Sequence, residues 1–270
     1  AALGEPLKTP ALDYTETEVE KEGFNVTVEA QDLCPRYIAH YVYDVKLGQS
    51  PAWMRRRLAL VGNNSISNIV DITNYIMREL GQPLHAFDCD YLEGNAINVR
   101  RATEGEKIVT LDEKEFTLNP NNLVICDGKK PVALAGIMGG LNSEVRDTTT
   151  EVMFEAAKFA RDNIRRSSRA LGQGSDASQR YSKGVTTEMA MKRALHLVEE
   201  LGVGKISKTH KNVNTGNSLE PTTFKTSVKK VNAVLGITVP DEDILRILTG
   251  LNFQPEINGD ELTMHFPAYR

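Results

Sequence analysis

Three uncharged polar residues, Thr73, Asn74 and His85, occur within a short stretch of the chain. Thr73 and Asn74 are expected near the end of a helix, and His85 follows a few residues beyond the turn. A hydroxyl, an amide and an imidazole can converge to hold a ligand or a water molecule through hydrogen bonds. The alternative is structural: Asn74 caps a helix and His85 satisfies a backbone carbonyl. Spacing alone leaves both interpretations open.

A single carboxylate interrupts an apolar segment at residues 152–159. Glu155 lies between Phe154 and Ala156, in a pattern that predicts a strand with alternating burial. Burying an ionised carboxylate without a partner is costly. We therefore expect Glu155 to have a partner or to lie at the wall of a wet cavity, and it is the most informative acidic residue in the chain.

Other catalytic classes lack their residue patterns. No nucleophile elbow is present, and the five histidines are scattered rather than placed at the spacing of metal ligands. Gly136, Gly139 and Gly140 indicate a tight turn or a pocket wall, without the Lys-Ser/Thr of a phosphate loop. The remaining chemistry is hydrolysis of a reactive ester by an oriented water, with no metal.

Composition indicates a globular protein. The 270 residues are 40% hydrophobic and 25% charged, and no apolar run is long enough to cross a bilayer. Three cysteines without a close pair favour a reducing compartment, so we expect a cytoplasmic protein. The net charge of −4 does not favour a nucleic-acid partner. Residues 161–183, however, carry six basic and two acidic side chains, typical of a phosphate-binding patch or a solvated helix face.

The elements that must position these residues follow from periodicity. Apolar residues at helical spacing predict a helix over 68–80, and Gly81 and Pro83 end it. Ser50 and Pro51 predict the start of another helix, with Ser50 as its N-cap. Strands are expected over 36–47, in short runs between 97 and 132, and over 152–159, and helices over 161–171 and 186–201. The predicted fold class is α+β, a mixed β unit packed with helices.

Three regions are predicted along the chain. Residues 1–30 form an acidic connector with one edge strand, and residues 31–205 form the main domain. Residues 205–221 are polar and rich in Gly, Asn, Ser and Thr, which indicates a domain boundary. Residues 206–270 are then part of a small helix-helix-hairpin, winged-helix-like domain with a turn at Asn258-Gly259. Because the chain begins without Met, we expect a piece of a longer protein.

Five motifs in one order resemble the β chain of bacterial phenylalanyl-tRNA synthetase. They are D-I-T-N-Y from Asp71, L-G-Q-P-L-H-A-F-D from Leu80, A-G-I-M-G-G from Ala135, F-E-A from Phe154 and S-D-A-S-Q-R-Y from Ser175. The similarity runs from about residue 34 to residue 270 without large gaps. Several motifs in one order are far more specific than any single short pattern.

The resemblance implies a function for residues 31–205. In this family the similar module is an editing domain, which removes a wrongly attached amino acid by hydrolysing tyrosyl-tRNA(Phe). Carried over by motif, Glu155 recognises the tyrosine hydroxyl, and the small residues Gly139 and Ala177 form the pocket walls. His85, with Thr73 and Asn74, holds the terminal adenosine and the attacking water.

Two further positions bear on substrate binding by the same resemblance. Ser175 stands where family members often carry Thr, so a hydroxyl is retained. Asn64 stands where related sequences can carry Arg, so a phosphate or ribose contact is lost or moved, with a consequence for tRNA affinity.

The resemblance also implies partners and cofactors. The partners are the acceptor end of tRNA(Phe), tyrosine or its ester, and the α chain of a heterotetramer, with no membrane. ATP and magnesium are expected for the whole enzyme and none for this fragment, which has no ATP-binding signature and should not aminoacylate alone. The alternative function is a non-catalytic module that docks tRNA or another subunit.

Overall fold

A computed structural model of the chain describes residues 8–181, 186–215 and 222–267. One unit comprises residues 10–216, and a second comprises mainly residues 217–270. The strands of the first unit are β1 (Asn25–Val28), β2 (Arg36–Tyr43), β3 (His85–Asp88), β4 (Ala96–Arg101), β5 (Lys107–Val109), β6 (Glu115–Thr117), β7 (Leu123–Cys126), β8 (Pro131–Leu134), β9 (Met138–Gly139), β10 (Val152–Lys158) and β11 (Lys205–Asn214). Its helices are α1 (Ala52–Leu60), α2 (Asn68–Leu80), α3 (Arg161–Ala170), α4 (Asp176–Tyr181) and α5 (Thr187–Glu200).

A four-stranded antiparallel sheet, in the order β11-β2-β10-β3, lies between two hydrophobic cores. Side chains alternate along β2, so Tyr37 and Tyr41 enter one core while Ile38 and Val42 enter the other. The first core is shared with a five-stranded sheet, in the order β1-β4-β7-β8-β9, and the second contains residues of α1, α2 and α5. The middle strands are therefore covered on both faces.

This arrangement corrects the prediction of alternating burial around Glu155. Every residue from Val152 to Ala157 is buried, because β10 has a core on each side. Glu155 lies on the same face as Met153 and Ala157, which belong to the first core. Its carboxylate is therefore inside the unit rather than on a half-exposed strand.

Helix α2 extends over the predicted residues. Ile69, Ile72 and Ile76 pack in the second core, and Gly81 ends the helix with a positive φ of 75°. Asp71, a charged residue of the same helix, is completely buried. It accepts hydrogen bonds from the Ser50 hydroxyl at 2.6 Å and from the backbone of Ile66 at 2.8 Å.

Two local predictions were therefore wrong. The Ser50 side chain binds Asp71, and the N-cap residue of α1 is Pro51. Thr73 and Asn74 lie in the middle of α2, about two turns before its end. Asp71 fixes the segment before α2 to the helix, and these hydrogen bonds satisfy its buried carboxylate.

The predicted boundary after residue 205 also differs from the structure. Lys205–Asn214 is not a linker but the edge strand β11, paired antiparallel with β2, and the division of the chain falls after residue 216. Its Lys, Thr and Asn side chains are those of an edge strand exposed on one side. The remainder of the expected linker, residues 216–221, lies outside the described residues.

The connector predicted for residues 1–30 is largely part of the first unit. Residues from Pro10 onward belong to it, and Phe24, Val26 and Val28 are buried. The predicted edge strand is β1, which pairs in parallel with β4 at the end of the five-stranded sheet.

The second unit is a small α+β fold. It consists of β12 (Thr222–Ser227), α6 (Val228–Leu235), α7 (Asp241–Gly250), β13 (Glu256–Asn258) and β14 (Glu261–Phe266), with the strand order β12-β14-β13. Val228, Ile244, Leu262 and Met264 form its core. Gly259 adopts a positive φ of 60° in the predicted hairpin turn. The α+β fold class is thus confirmed, and no helix among the described residues has the length and apolar character required to span a bilayer.

Candidate functional site

A cavity of about 420 Å³ lies against α2, β3, β9 and α4 of the first unit. Most of its wall is apolar and includes Met77, Leu84, Leu134 and Ile137. Its polar lining residues are Asn63, Thr73, Asn74, His85, Glu144, Glu155, Asp176 and Tyr181. An apolar cavity of this size with a few polar groups is typical of a small-ligand site.

The sheet register brings His85 and Glu155 together. β3 pairs antiparallel with β10, and His85 is the residue directly opposite Glu155. Directly opposed side chains project from the same face of a sheet. Residues 70 positions apart in the chain therefore line the same cavity.

The Glu155 carboxylate has a partner within the protein. The Tyr37 hydroxyl, on the neighbouring strand β2, donates a hydrogen bond of 2.8 Å to Glu155 Oε2. Both side chains are buried, Tyr37 completely and Glu155 at 4% exposure. The hydrogen bond accounts for one carboxylate oxygen, and Glu155 also lines the cavity.

Burial raises the pKa of Glu155 to about 7, because removal from water penalises the charged form, and the hydrogen bond from Tyr37 opposes this rise. Burial, followed by the nearby carboxylate, raises the pKa of Tyr37 well above its usual value. Tyr37 therefore remains a donor at neutral pH, while Glu155 is divided between its ionised and protonated forms.

His85 is neutral at physiological pH. Burial lowers the pKa of its imidazole to about 4. Its Nε2 is buried and has no hydrogen-bond partner among the described residues. His85 Nε2 therefore makes no hydrogen bond to a backbone carbonyl of the described residues, which the structural alternative would require at this nitrogen. An unpartnered buried nitrogen at a cavity wall indicates a place for a ligand or water.

Two glycines shape the wall beside His85. A Cβ at Gly139 would lie 2.5 Å from His85 Cε1, so the backbone of β9 passes directly over the imidazole ring. Gly136 has a positive φ of 67°, and a Cβ there would lie 2.9 Å from Phe159. The predicted close approach of backbone at these glycines is present.

Thr73 and Asn74 both line the cavity, from adjacent positions on α2. The Thr73 hydroxyl donates to the carbonyl of Val70 at 2.7 Å, which leaves its oxygen able to accept. The Asn74 side chain makes no hydrogen bond to another described residue, so it does not act as a cap there.

Ala177 lines the cavity from α4, but Ser175 and Asn64 do not. The Ser175 hydroxyl donates to the carbonyl of Ile137 at 2.6 Å and so ties α4 to the segment before β9. Asn64 is exposed, and its neighbour Asn63 lines the cavity instead.

Although position 64 carries Asn rather than Arg, another arginine, Arg78, lies beside the cavity. Arg78 donates from Nε to Asn63 at 2.6 Å and forms an ion pair with Asp176. Asn63 and Asp176 both line the cavity, so Arg78 connects the segment before α2 with α4 at the rim of the cavity.

Sequence reasoning missed Tyr37 and Gln82. Gln82 is completely buried and donates from Nε2 to the carbonyl of Ala157 at 3.0 Å, which fixes the loop before His85 to β10. Its position beside a helix-ending Gly carried no signal for this contact. Tyr37 could be assigned to Glu155 only once the β2–β10 register was known.

The exposed residues of α3 include Arg161, Arg165, Arg166 and Arg169, four of the six basic residues in the predicted patch. Arg180 is half-buried. Lys183 lies outside the described residues.

Comparison with known proteins defines the class. Residues 33–203 match the B3/4 domain family and residues 224–270 match the tRNA synthetase B5 domain. Since the first match covers more than half of the chain, the chain belongs to the B3/4 domain family.

The full chain is similar to phenylalanine–tRNA ligase β subunits. It is 46% identical to that of Syntrophus aciditrophicus, 41% to that of Clostridium acetobutylicum and 42% to that of Moorella thermoacetica. In each case all of the chain is covered, and it spans 34% of the relative's length. The resemblance predicted from the motifs is confirmed.

A solved structure is also similar, an N-terminal fragment of the phenylalanyl-tRNA synthetase β subunit from Pyrococcus horikoshii. The identity is 15% and the TM-score 0.47, covering 100% of this chain and 74% of that fragment.

Proposed function

We propose that the cavity hydrolyses the ester of tyrosyl-tRNA(Phe), a post-transfer editing reaction. The observation that carries this proposal is the Glu155 carboxylate, bound by Tyr37 at one oxygen and lining an otherwise apolar cavity. A phenol ring fits such a wall, and its hydroxyl is a donor that an ionised carboxylate accepts.

The proposed specificity follows from an asymmetry of binding. An apolar pocket cannot strongly reject a ligand that merely adds a hydroxyl, so a synthetase selecting phenylalanine needs a second site to remove tyrosine. A site that hydrogen-bonds the hydroxyl can discriminate more strongly, because phenylalanine leaves its buried polar group without a partner. Glu155 takes this role in our proposal, and Gly139 and Ala177 form the walls beside the ring, with Gly139 also leaving room for the His85 imidazole.

Hydrolysis requires a water held near the ester carbonyl. In the proposed reaction the water oxygen attacks that carbon, the bond to the ribose oxygen breaks, and the ribose oxygen takes up a proton. Neutral His85, with an unpartnered Nε2, is suited to hold the water or a ribose hydroxyl. The Thr73 oxygen and the Asn74 amide offer further hydrogen bonds to the terminal adenosine.

The partners of the longer protein are proposed by the same similarity. They are tRNA(Phe) and an α chain that carries the synthetic site. The proposed location is the cytoplasm, and ATP and magnesium are used in aminoacylation. The donor set of the cavity does not fit a metal, because no three His, Cys, Asp or Glu among its described residues converge on one point. No step of the proposed hydrolysis is therefore assigned to an ion. The exposed arginines of α3 support contact with phosphates.

The test is hydrolysis of tyrosyl- and phenylalanyl-tRNA(Phe) by the 270-residue chain. We expect release of tyrosine and retention of phenylalanine. Ala177→Trp should fill the cavity and abolish release, whereas Ala59→Trp, on the exposed side of α1, should not. Equal rates on the two esters would refute the specificity. No release from either by a folded chain would favour the docking-module alternative, and full activity of Ala177→Trp would move the site elsewhere.

A further inference from the structure

A second group of polar side chains lies outside the cavity. It comprises Glu16, in the segment before β1, His40 on β2 and His210 on β11. The register of β2 and β11 places His40 directly opposite His210, and their rings are stacked with centroids 5.2 Å apart. Glu16 Oε1 lies 3.8 Å from His40 Nε2 and 4.0 Å from His210 Nδ1. One ligand atom from each of the three residues falls within 4.8 Å of the other two.

We propose that Glu16, His40 and His210 form a binding site for a divalent transition metal of the zinc class. Two imidazoles and one carboxylate are the donors that Zn²⁺, Ni²⁺ and Co²⁺ accept, whereas Mg²⁺ and Ca²⁺ prefer oxygen alone. With metal–nitrogen distances of about 2.0–2.1 Å, neighbouring ligands of a tetrahedral ion lie about 3.3 Å apart. To reach that spacing, Glu16 must move about 0.5 Å closer to His40 and about 0.7 Å closer to His210, and the two histidine nitrogens must approach each other from a separation of at most 4.8 Å.

The two outer ligands can make this adjustment. The Glu16 side chain is 34% exposed and that of His210 is 49% exposed, so both can change rotamer without disturbing the core. Metal binding at His210 Nδ1 replaces its 3.2 Å hydrogen bond to the carbonyl of Lys208. His40, at 3% exposure, is the fixed member of the group. The remaining coordination positions face solvent, where water completes the shell.

The charges around the group suit a dication. The group contains one carboxylate, that of Glu16, beside two imidazoles. Lys208, two residues before His210, is paired with Glu18 at 3.0 Å and with Glu20 at 3.2 Å.

The His40 ring must change tautomer on binding. Its Nε2 lies 2.8 Å from the carbonyl oxygen of Ser207 and donates the ring proton to it. When Nε2 binds a metal, that proton moves to Nδ1, and the carbonyl oxygen either withdraws or becomes a further ligand. The pairing of β11 with β2 shifts register between Ile206 and His210, so Ser207 lies in an irregular part of that ladder, although it also bridges to Thr17.

Calorimetric titration of the 270-residue chain tests the site. We expect one Zn²⁺ per chain at pH 7.5 and no measurable heat with Mg²⁺. His210→Gln and Glu16→Gln should each weaken zinc binding by at least about tenfold. Both substitutions are at exposed positions, so the variants should fold. His265→Gln, a histidine of the second unit, is the matched control and should bind as the parent does.

Cobalt substitution identifies the ligands. Co²⁺ should give the visible bands of nitrogen and oxygen coordination, and these bands should be lost in His210→Gln. Absence of zinc binding would overturn the proposal, as would binding that both variants retain. Strong thiolate-to-cobalt absorption would also overturn it, because it would place the ion at the buried cysteines Cys34, Cys89 or Cys126.

Discussion

Tyr37→Phe isolates the contribution of one hydrogen bond to the proposed specificity. The substitution removes the hydroxyl that donates to Glu155 Oε2 at 2.8 Å and leaves the ring in the core. That hydrogen bond favours the ionised form of Glu155, which burial alone would suppress. Without it, the pKa of Glu155 should rise further above its present value of about 7.

The size of the effect follows from the strength of the bond. A hydrogen bond to a charged group is worth about 1.5–3 kcal/mol, and one pKa unit corresponds to about 1.4 kcal/mol. The pKa of Glu155 should therefore rise by about one to two units. At pH 7 its ionised fraction should fall from about half to about one tenth or less, and the preference for the tyrosyl ester by about five- to fiftyfold.

The assay is the ratio of hydrolysis rates on tyrosyl- and phenylalanyl-tRNA(Phe) between pH 6 and pH 8.5, after subtraction of spontaneous hydrolysis. The parent ratio should rise to a plateau above pH 7. In Tyr37→Phe the same rise should occur one to two units higher, with an unchanged rate on the phenylalanyl ester. A purely structural loss would lower the ratio equally at every pH. An unshifted profile would refute the link between Tyr37, the ionisation of Glu155 and specificity.

Three further outcomes are expected. His85→Ala should slow hydrolysis of both esters with little change in the preference for the tyrosyl ester. Glu155→Ala should reduce that preference by about one to two powers of ten. The same two-ester assay would contradict these roles if the two variants showed each other's effect. Gly139→Ala should lower the hydrolysis rates of both esters by about tenfold or more, because the added Cβ would displace the His85 ring. The control is Gly48→Ala, whose added Cβ would have no neighbouring atom within 4 Å, and it should hydrolyse both esters as the parent does. Glu155→Gln should gain stability relative to the parent as pH rises from about 4.5 to about 7, because the raised pKa of folded Glu155 costs the parent about 3 kcal/mol of unfolding free energy over that window. Urea unfolding of both proteins at pH 4.5 and pH 7.5 measures this change. A difference in unfolding free energy that is the same at both pH values would contradict the raised pKa.

Much of the fold was predictable where periodicity was strong. The limits of α2, from Asn68 to Leu80, match the predicted helix, since its apolar residues recur at helical spacing and Gly81 stops it. β11 was missed because an edge strand with polar side chains resembles a linker when its partner is unknown. Burial on both faces of β10 was also missed, because it depends on two cores from distant segments.

The candidate site was predictable only through its motifs. Spacing alone left the convergence of Thr73, Asn74 and His85 open. Their link to Glu155 depends on the β3–β10 register, which no local pattern specifies. Tyr37 and Gln82 act through buried hydrogen bonds to distant segments. Such contacts are invisible until the strand order is known, and so the roles carried over for the site residues stay predictions.

The edge of the four-stranded sheet has a consequence for the architecture of a longer chain. Near the beginning of the first unit, the backbone of Thr17 donates to the carbonyl of Ile206 at 2.8 Å, and Thr17 bridges to Ser207, near the end of the unit. Segments close to the beginning and to the end of this unit therefore lie side by side at one edge of the sheet. A domain whose two ends adjoin can be inserted into, or excised from, a host protein by cutting a single loop. The unit is in this sense a cassette, and replacing residues 10–216 with a short flexible linker should leave a host fold's own strands and helices in register.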